Sequence, residues 1–262
     1  MITTSFFDIP FTHFTSEEII QRIVKNSSVR KMKNTPESRV YHFLNAFCIT
    51  EFHESNEIKK CYQDYKSVNL CDGISIAISH KLFVNTSIKR IRGGDFLRTF
   101  FKSASNSTIR IGILGGNNNS MQEIISSINS RFSNLKIVFA YEPPFTEISK
   151  YPIKEITKKL EAAELDVCLV AIGTPKQDVL ARILSEQVDI DFFCIGAALE
   201  FLIGSKKEAP KMLQNLGMEW LYRLITEPRR LGRRYLIGIP KYLKVVLNFY
   251  LTKGRDFMRE NQ

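Results

Sequence analysis

Residues 167–187 read VCLVAIGTPKQDVLARILSEQ, and this stretch decides the fold. Val167–Ile172 is an uncharged apolar run, too short for a helix, which reads as a strand buried on both faces. Gly173 and Thr174 interrupt it, Pro175 sits where a helix begins, and residues 176–187 carry helical spacing. The same unit recurs along the chain. Val40–Ile49 (VYHFLNAFCI), Ile109–Leu114, Leu135–Tyr141 and Phe192–Ile195 read as further buried strands, with a short one around Val68–Leu70. Residues 73–83, 94–103, 118–132 and 153–164 have helical spacing, with Asn119 or Ser120 as a cap ahead of Gln122 and Glu123. Strands alternating with helices predict an α/β protein with an open, mostly parallel sheet flanked by helices. In such a sheet a ligand lies beyond the carboxyl ends of the strands.

From about Pro210 the strands stop. Two or three helices are expected there, broken at Glu227–Pro228 and Ile239–Pro240. Lys241–Thr252 places Leu243, Val246, Leu247 and Tyr250 beside lysines, an amphipathic pattern suited to a bilayer surface or to docking on the body. The charge is uneven. Residues 223–262 hold ten Lys or Arg against Glu227, Asp256 and Glu260, a net +7 of the chain's +10, leaving +3 for the preceding 222 residues. An anionic partner is therefore expected at the tail.

The five cysteines occur singly; Cys48, Cys168 and Cys194 lie in apolar runs and read as small core residues. The four histidines form no zinc-binding spacing, so no metal site is expected. The N-terminus lacks signal-peptide character. No stretch reaches the roughly 18 apolar residues of a spanning helix. A cytosolic protein touching a membrane only peripherally is the expectation.

Four segments follow strands. Cys71-Asp72-Gly73-Ile74 places a carboxylate at a strand end, where it can accept a proton from a hydroxyl or serve as an N-cap, the commoner use on spacing alone. Arg90-Ile91-Arg92-Gly93-Gly94-Asp95 offers a glycine pair that lets backbone approach a ligand, with Asp95 as a helix cap. Gly112-Ile113-Leu114-Gly115-Gly116-Asn117 can cradle phosphate at a helix start, but it lacks the order of a dinucleotide fingerprint. Gly173-Thr174-Pro175-Lys176-Gln177-Asp178 places Lys176 and Gln177 where they reach sugar or phosphate oxygens. Gly196-Ala197-Ala198 leaves space after the last strand. In GMEWLYRLITEPRRLGRRY (217–235), arginines suited to a diphosphate or lipid headgroups alternate with apolar residues.

Taken in order, the Asp-Gly at 72–73, RIRGGDF at 90–96, ILGG at 113–116, GTPKQD at 173–178, GAALEFLIG at 196–204 and EAPKMLQNLGMEWLYRLITEPRRLGRRY at 208–235 resemble the WecG/TagA/CpsF glycosyltransferase family. The resemblance implies a Rossmann-like body (1–207) and a basic helical appendage (208–262) that closes the active site and assists at the membrane. It implies an inverting, metal-independent enzyme without cofactor, at the inner face of the cell membrane, with self-association of the body possible. The sugar, an N-acetylhexosamine such as N-acetylmannosamine or its uronic acid, would pass from a UDP-sugar to an undecaprenyl-diphosphate-linked acceptor for surface polysaccharides.

By position, Asp72 matches the family's base. Asn45, Arg90 and Gln177 match substrate contacts, with Gly93, Asp95, Gly115, Gly116 and Gly196 lining the site. Arg223, Arg230 and Arg233 would face the diphosphate. Phe43 stands where the family usually has Thr, and Glu200 replaces a more typical Asp. Two other readings remain: a nucleic-acid-binding protein using the basic tail, which leaves the strand-end motifs unexplained, and a nicotinamide-dependent oxidoreductase resting on GILGG.

Overall fold

A computed structural model describes residues 3–31, 38–84, 88–116 and 120–254. The chain opens with a hairpin of β1 (Thr3–Phe6) and β2 (Ile9–Thr12), then α1 (Ser16–Lys31). Next come β3 (Val40–Leu44), α2 (Ala46–Glu54), α3 (Asn56–Gln63), β4 (Ser67–Cys71), α4 (Ile74–Val84) and α5 (Gly93–Ala104). The second half of the sheet is β5 (Arg110–Gly115), α6 (Met121–Arg131), β6 (Lys136–Tyr141), α7 (Ile153–Ala162), β7 (Val167–Ala171), α8 (Lys176–Ser185), β8 (Asp191–Cys194) and α9 (Ala198–Ile203). Three helices complete it: α10 (Lys211–Asn215), α11 (Glu219–Thr226) and α12 (Pro228–Phe249).

The strands form one sheet ordered β1-β2-β4-β3-β8-β7-β5-β6, parallel throughout except the β1–β2 hairpin. Side chains alternate between its faces. Tyr41, Phe43, Ile111, Ile113, Val167, Leu169 and Phe193 meet α1, α5, α6 and α9 on one face. Leu114, Cys168, Val170, Phe192 and Cys194 meet α7 and α8 on the other. A third cluster joins the hairpin, α2, α3, α4 and α12. After β3 the chain turns to α2 on the α8 side, and after the neighbouring β8 it turns to α9 on the opposite side. The crevice between these two strands is the topological switch point, where open α/β sheets bind ligands.

Several elements depart from the sequence expectations. The run Val40–Ile49 is not one strand: β3 ends at Leu44, and Asn45 caps α2. A buried helix and a buried strand are equally apolar, so the single cap residue inside the run is the only local sign of the change. The N-terminal hairpin turns on Phe7 and Asp8, both with positive φ (54° and 62°). These are not the Asn-Gly residues that announce such turns; burial of Phe7 against Tyr242 and Phe249 stabilises the conformation.

The break at Glu227–Pro228 is present, with Pro228 starting α12, but Ile239–Pro240 does not break the helix. Proline removes one N–H and leaves one carbonyl without its partner. Leu236 and Pro240 lie on the exposed side, where water reaches that carbonyl, while Tyr242 and Phe249 pin the far half to the body. Val246 and Tyr250 also turn toward the body, so the outward stripe is Leu236, Ile239, Leu243 and Leu247. Ser120 caps α6 in a reciprocal capping box with Glu123; Asn117 and Asn119 lie outside the described residues.

Candidate active site

β3 and β4 run in register, Leu44 opposite Cys71, so the residues following them emerge side by side. These are Asn45 and Asp72. The Asn45 side chain accepts from the N–H groups of Phe47 (3.0 Å) and Cys48 (3.4 Å), which fixes its orientation at the start of α2. Asp72 Oδ1 accepts from the N–H of Gly93 at 3.2 Å, so the carboxylate holds the first residue of α5, a helix N-terminus that favours negative charge. Asp95 is not that helix's cap: it stands exposed in the first turn, paired with Arg92 (2.9 Å) and Arg98 (3.2 Å).

Above Asp72 lies a charged cluster. Arg90 Nε donates to the Asp72 carbonyl at 2.6 Å, and Arg90 Nη2 meets Glu219 of α11 at 2.8 Å. Arg92 reaches the same Glu219 through Nε (3.1 Å) and Nη2 (3.2 Å), and its Nη1 donates to Gln214. Arg223, one turn further along α11, has its guanidinium 4.5 Å from the Phe201 ring centroid. Burial pushes the Asp72 carboxyl up to about 6 from an ordinary 3.8. The Arg90 charge opposes that rise, the Glu219 charge adds to it, and Arg223 and the Gly93 N–H oppose it.

Across the crevice, Gln177 sits in the first turn of α8 and is buried. Its Nε2 donates to Thr174 Oγ1 (3.1 Å) and to the Cys194 carbonyl (3.2 Å), while its Oε1 has no hydrogen-bond partner among the described residues. Gly196 has φ +49°, and a Cβ there would lie 3.4 Å from that oxygen. Gly93 faces Phe43 and Ala198, each about 3.7 Å from where its Cβ would be. Asn45, Asp72, Arg90, Gly93, Gln177 and Gly196 therefore line the carboxyl ends of four adjacent strands, β4, β3, β8 and β7.

Other expected site residues are placed differently. Gly115 has φ +101°, and its Cβ would come within 2.7 Å of the Ala171 carbonyl, so strand packing alone demands glycine. Gly116 is buried at the same edge, and the residues that would complete a phosphate cradle before α6 are not described. Arg230 and Arg233 line a groove of about 380 Å³ between α2 and α12, together with Phe47, Glu51, Glu54 and Lys241. Arg234 stacks on Phe47 at 3.7 Å. The three tail arginines are thus divided, Arg223 at the base and the other two along α2.

Glu219 and Arg92 were not among the expected site residues. Their opposite charges are visible in the sequence, but their pairing depends on the appendage folding back. One cluster of metal-ligating types, His42, Asp178 and Cys194, is buried beneath the site. His42 Nδ1 lies 2.7 Å from Asp178 Oδ1, and burial pushes the Cys194 thiol well above its ordinary value, so it stays protonated. Cys194 Sγ also donates to the Gln177 carbonyl at 3.6 Å, so the three side chains pack as polar contacts of the core.

The sheet, its switch point and the strand-end residues define a Rossmann-like α/β transferase fold. The model of the glycosyl transferase WecG/TagA/CpsF family matches residues 4–256, and the chain belongs to that family. It is a glycosyltransferase of surface polysaccharide synthesis. Among the described residues no helix is long and apolar enough to cross a membrane.

Proposed function

We propose that this glycosyltransferase moves an N-acetylhexosamine or its uronic acid from a UDP-sugar to a sugar carried on a polyprenyl diphosphate, with inversion. Asp72 is the base, and residues 208–262 form an appendage that completes the site and lies on an anionic membrane surface. The observation that carries the reading is the juxtaposition of a partly buried strand-end carboxylate with guanidiniums from the body (Arg90, Arg92) and from the appendage (Arg223).

The acceptor hydroxyl oxygen bonds to the anomeric carbon as the bond from that carbon to the UDP phosphate oxygen breaks. The hydroxyl proton passes to the Asp72 carboxylate, an assistance worth about 10²–10⁴ in rate. A carboxyl raised to about 6 is still mostly ionised at neutral pH yet basic enough to take the proton. Charge gathers on the departing diphosphate, which the guanidiniums and the helix dipoles directed at the crevice stabilise. Gln177, with an unsatisfied buried oxygen facing Gly196, accepts a hydrogen bond from a sugar hydroxyl.

The appendage supplies the contact with a lipid substrate. Leu236, Ile239, Leu243 and Leu247 form an exposed apolar stripe on α12, flanked by Arg229, Arg233 and Lys244. Each cation near an anionic leaflet contributes about 1 kcal/mol. A screen of radiolabelled UDP-sugars against a synthetic polyprenyl-diphosphate-linked acceptor tests the reaction. Label transferred from one donor by the wild type and lost in Asp72→Asn is expected; transfer from none of the UDP-sugars would overturn it.

A further inference from the structure

Among the described residues, Glu219 is the one carboxylate that pairs with both Arg90 and Arg92. Its two oxygens span Arg90 Nη2 at 2.8 Å and Arg92 Nε and Nη2 at 3.1 and 3.2 Å. Arg90 in turn holds the Asp72 carbonyl at 2.6 Å, so a single side chain separates Glu219 from the backbone of the base. The pairs are about three-quarters removed from solvent, with Arg90, Arg92 and Glu219 side chains 21%, 19% and 26% exposed. Charges this shielded act on one another far more strongly than surface pairs do.

The arithmetic of charge gives Glu219 a role. Without it, the Arg90 and Arg223 charges would act on Asp72 unopposed, holding it ionised and weakening it as a base. With it, the cluster retains positive charge for a diphosphate while sparing the proton affinity of Asp72. The groups acting on Asp72 come from several elements: Arg90 ahead of α5, the Gly93 N–H at its start, and Glu219 and Arg223 from α11, while Asn45, the cap of α2, is pressed against the adjoining Gly73. Of these, Glu219 and Arg223 belong to the appendage.

Resting on the transferase reading above, we propose that Glu219 is a positioning residue: by bridging Arg90 and Arg92 it orients the Arg90 guanidinium over the base and offsets its charge. Two further contacts hold α10 and α11 in place, Arg92 to Gln214 and Arg98 to Glu208. Glu219 itself touches no reacting atom in this arrangement; it acts through Arg90.

The test uses the full-length protein and two readouts. In kcat/KM against pH with the donor that supports transfer, Glu219→Gln should move the acid limb to lower pH, because a negative charge beside Asp72 is lost. Its kcat should fall on the order of 10- to 100-fold as Arg90 loses its orientation. Glu219→Asp, which restores the charge on a shorter stem, should return the acid limb to the wild-type position and recover part of kcat. Arg92→Gln takes away one of the two cations that neutralise Glu219 and should move the limb to higher pH.

Independently of turnover, ¹³C-carboxyl NMR, with Asp72 assigned by Asp72→Asn, should show its titration midpoint displaced downward in Glu219→Gln. A staple that merely ties the appendage down would leave both the limb and the midpoint unmoved, and that result overturns the proposal. If Asp72→Asn turns over normally, the assignment of the base fails instead, while the NMR titration still decides the coupling. Should Glu219→Gln not fold, the opposed displacement in Arg92→Gln carries the same decision.

Discussion

A Cβ added to Gly73 would lie 2.9 Å from the Cα of Asn45. The backbone after β4 is thus pressed against the backbone after β3, and this contact sets the spacing of Asn45 from Asp72. Gly73→Ala must push the two segments apart, because the obstructing atom is main chain. Overpacking of this kind costs about 1–3 kcal/mol. We expect a lower melting temperature and a loss of kcat on the order of 10- to 100-fold. Normal turnover in a purified Gly73→Ala protein would show that the spacing does not matter.

The raised Asp72 carboxyl predicts the pH dependence. Only the ionised form accepts a proton, so kcat/KM should rise with pH and level off above about 6. A profile flat from pH 5 to 8 would exclude this carboxyl as the titrating base.

The same shift predicts a stability gain from removing the charge. Between about 4 and 6 the folded protein binds a proton at Asp72 that the unfolded chain has released, so this residue's contribution falls as pH rises through that window. Above it, the buried charge costs about 1–3 kcal/mol. Asp72→Asn keeps the acceptor for Gly93 and removes the charge. It should melt a few degrees higher than wild type at pH 7.5, and the difference should shrink at pH 4.

Gly196 combines a left-handed backbone with close contact to Gln177. An alanine there suffers a steric cost of about 1–2 kcal/mol and presses on the free oxygen of Gln177. Gly196→Ala should raise KM for the donor more than it lowers stability. Steady-state kinetics beside thermal denaturation would separate the two; an unchanged KM removes Gly196 from the donor site.

Paired Leu243→Ser and Leu247→Ser substitutions strip apolar surface from the exposed stripe without touching Tyr242 or Phe249, which hold α12 to the body. Cosedimentation with anionic vesicles should weaken severalfold, while transfer to a short-chain soluble acceptor persists. Equal losses of both would mean that the stripe supports folding instead.

Much of this molecule was legible locally. VCLVAIGTPKQDVLARILSEQ became β7, a turn and α8 within a residue or two of the expected ends. Asp72 and Gln177 each sit at the strand end that the alternation predicted. The hairpin at Phe7 and Asp8 was not legible, because burial against a helix more than 200 positions away stabilises its turn. Pro240 misled for a related reason: a locally unfavourable residue is tolerated where anchors on both sides keep the helix continuous.

What the chain determined by itself was periodicity, strand-end chemistry and the uneven charge, all of which depend on residues within a turn or a strand of one another. Which cation meets the base was decided only in three dimensions. Arg223 and Arg230 are equivalent as charges, yet the break at Glu227 and the docking of Tyr242 and Phe249 send one toward Asp72 and the other along α2. A helix turns about 100° per residue, so the direction of each side chain follows from how the helix is anchored, and those anchors lie far away in sequence.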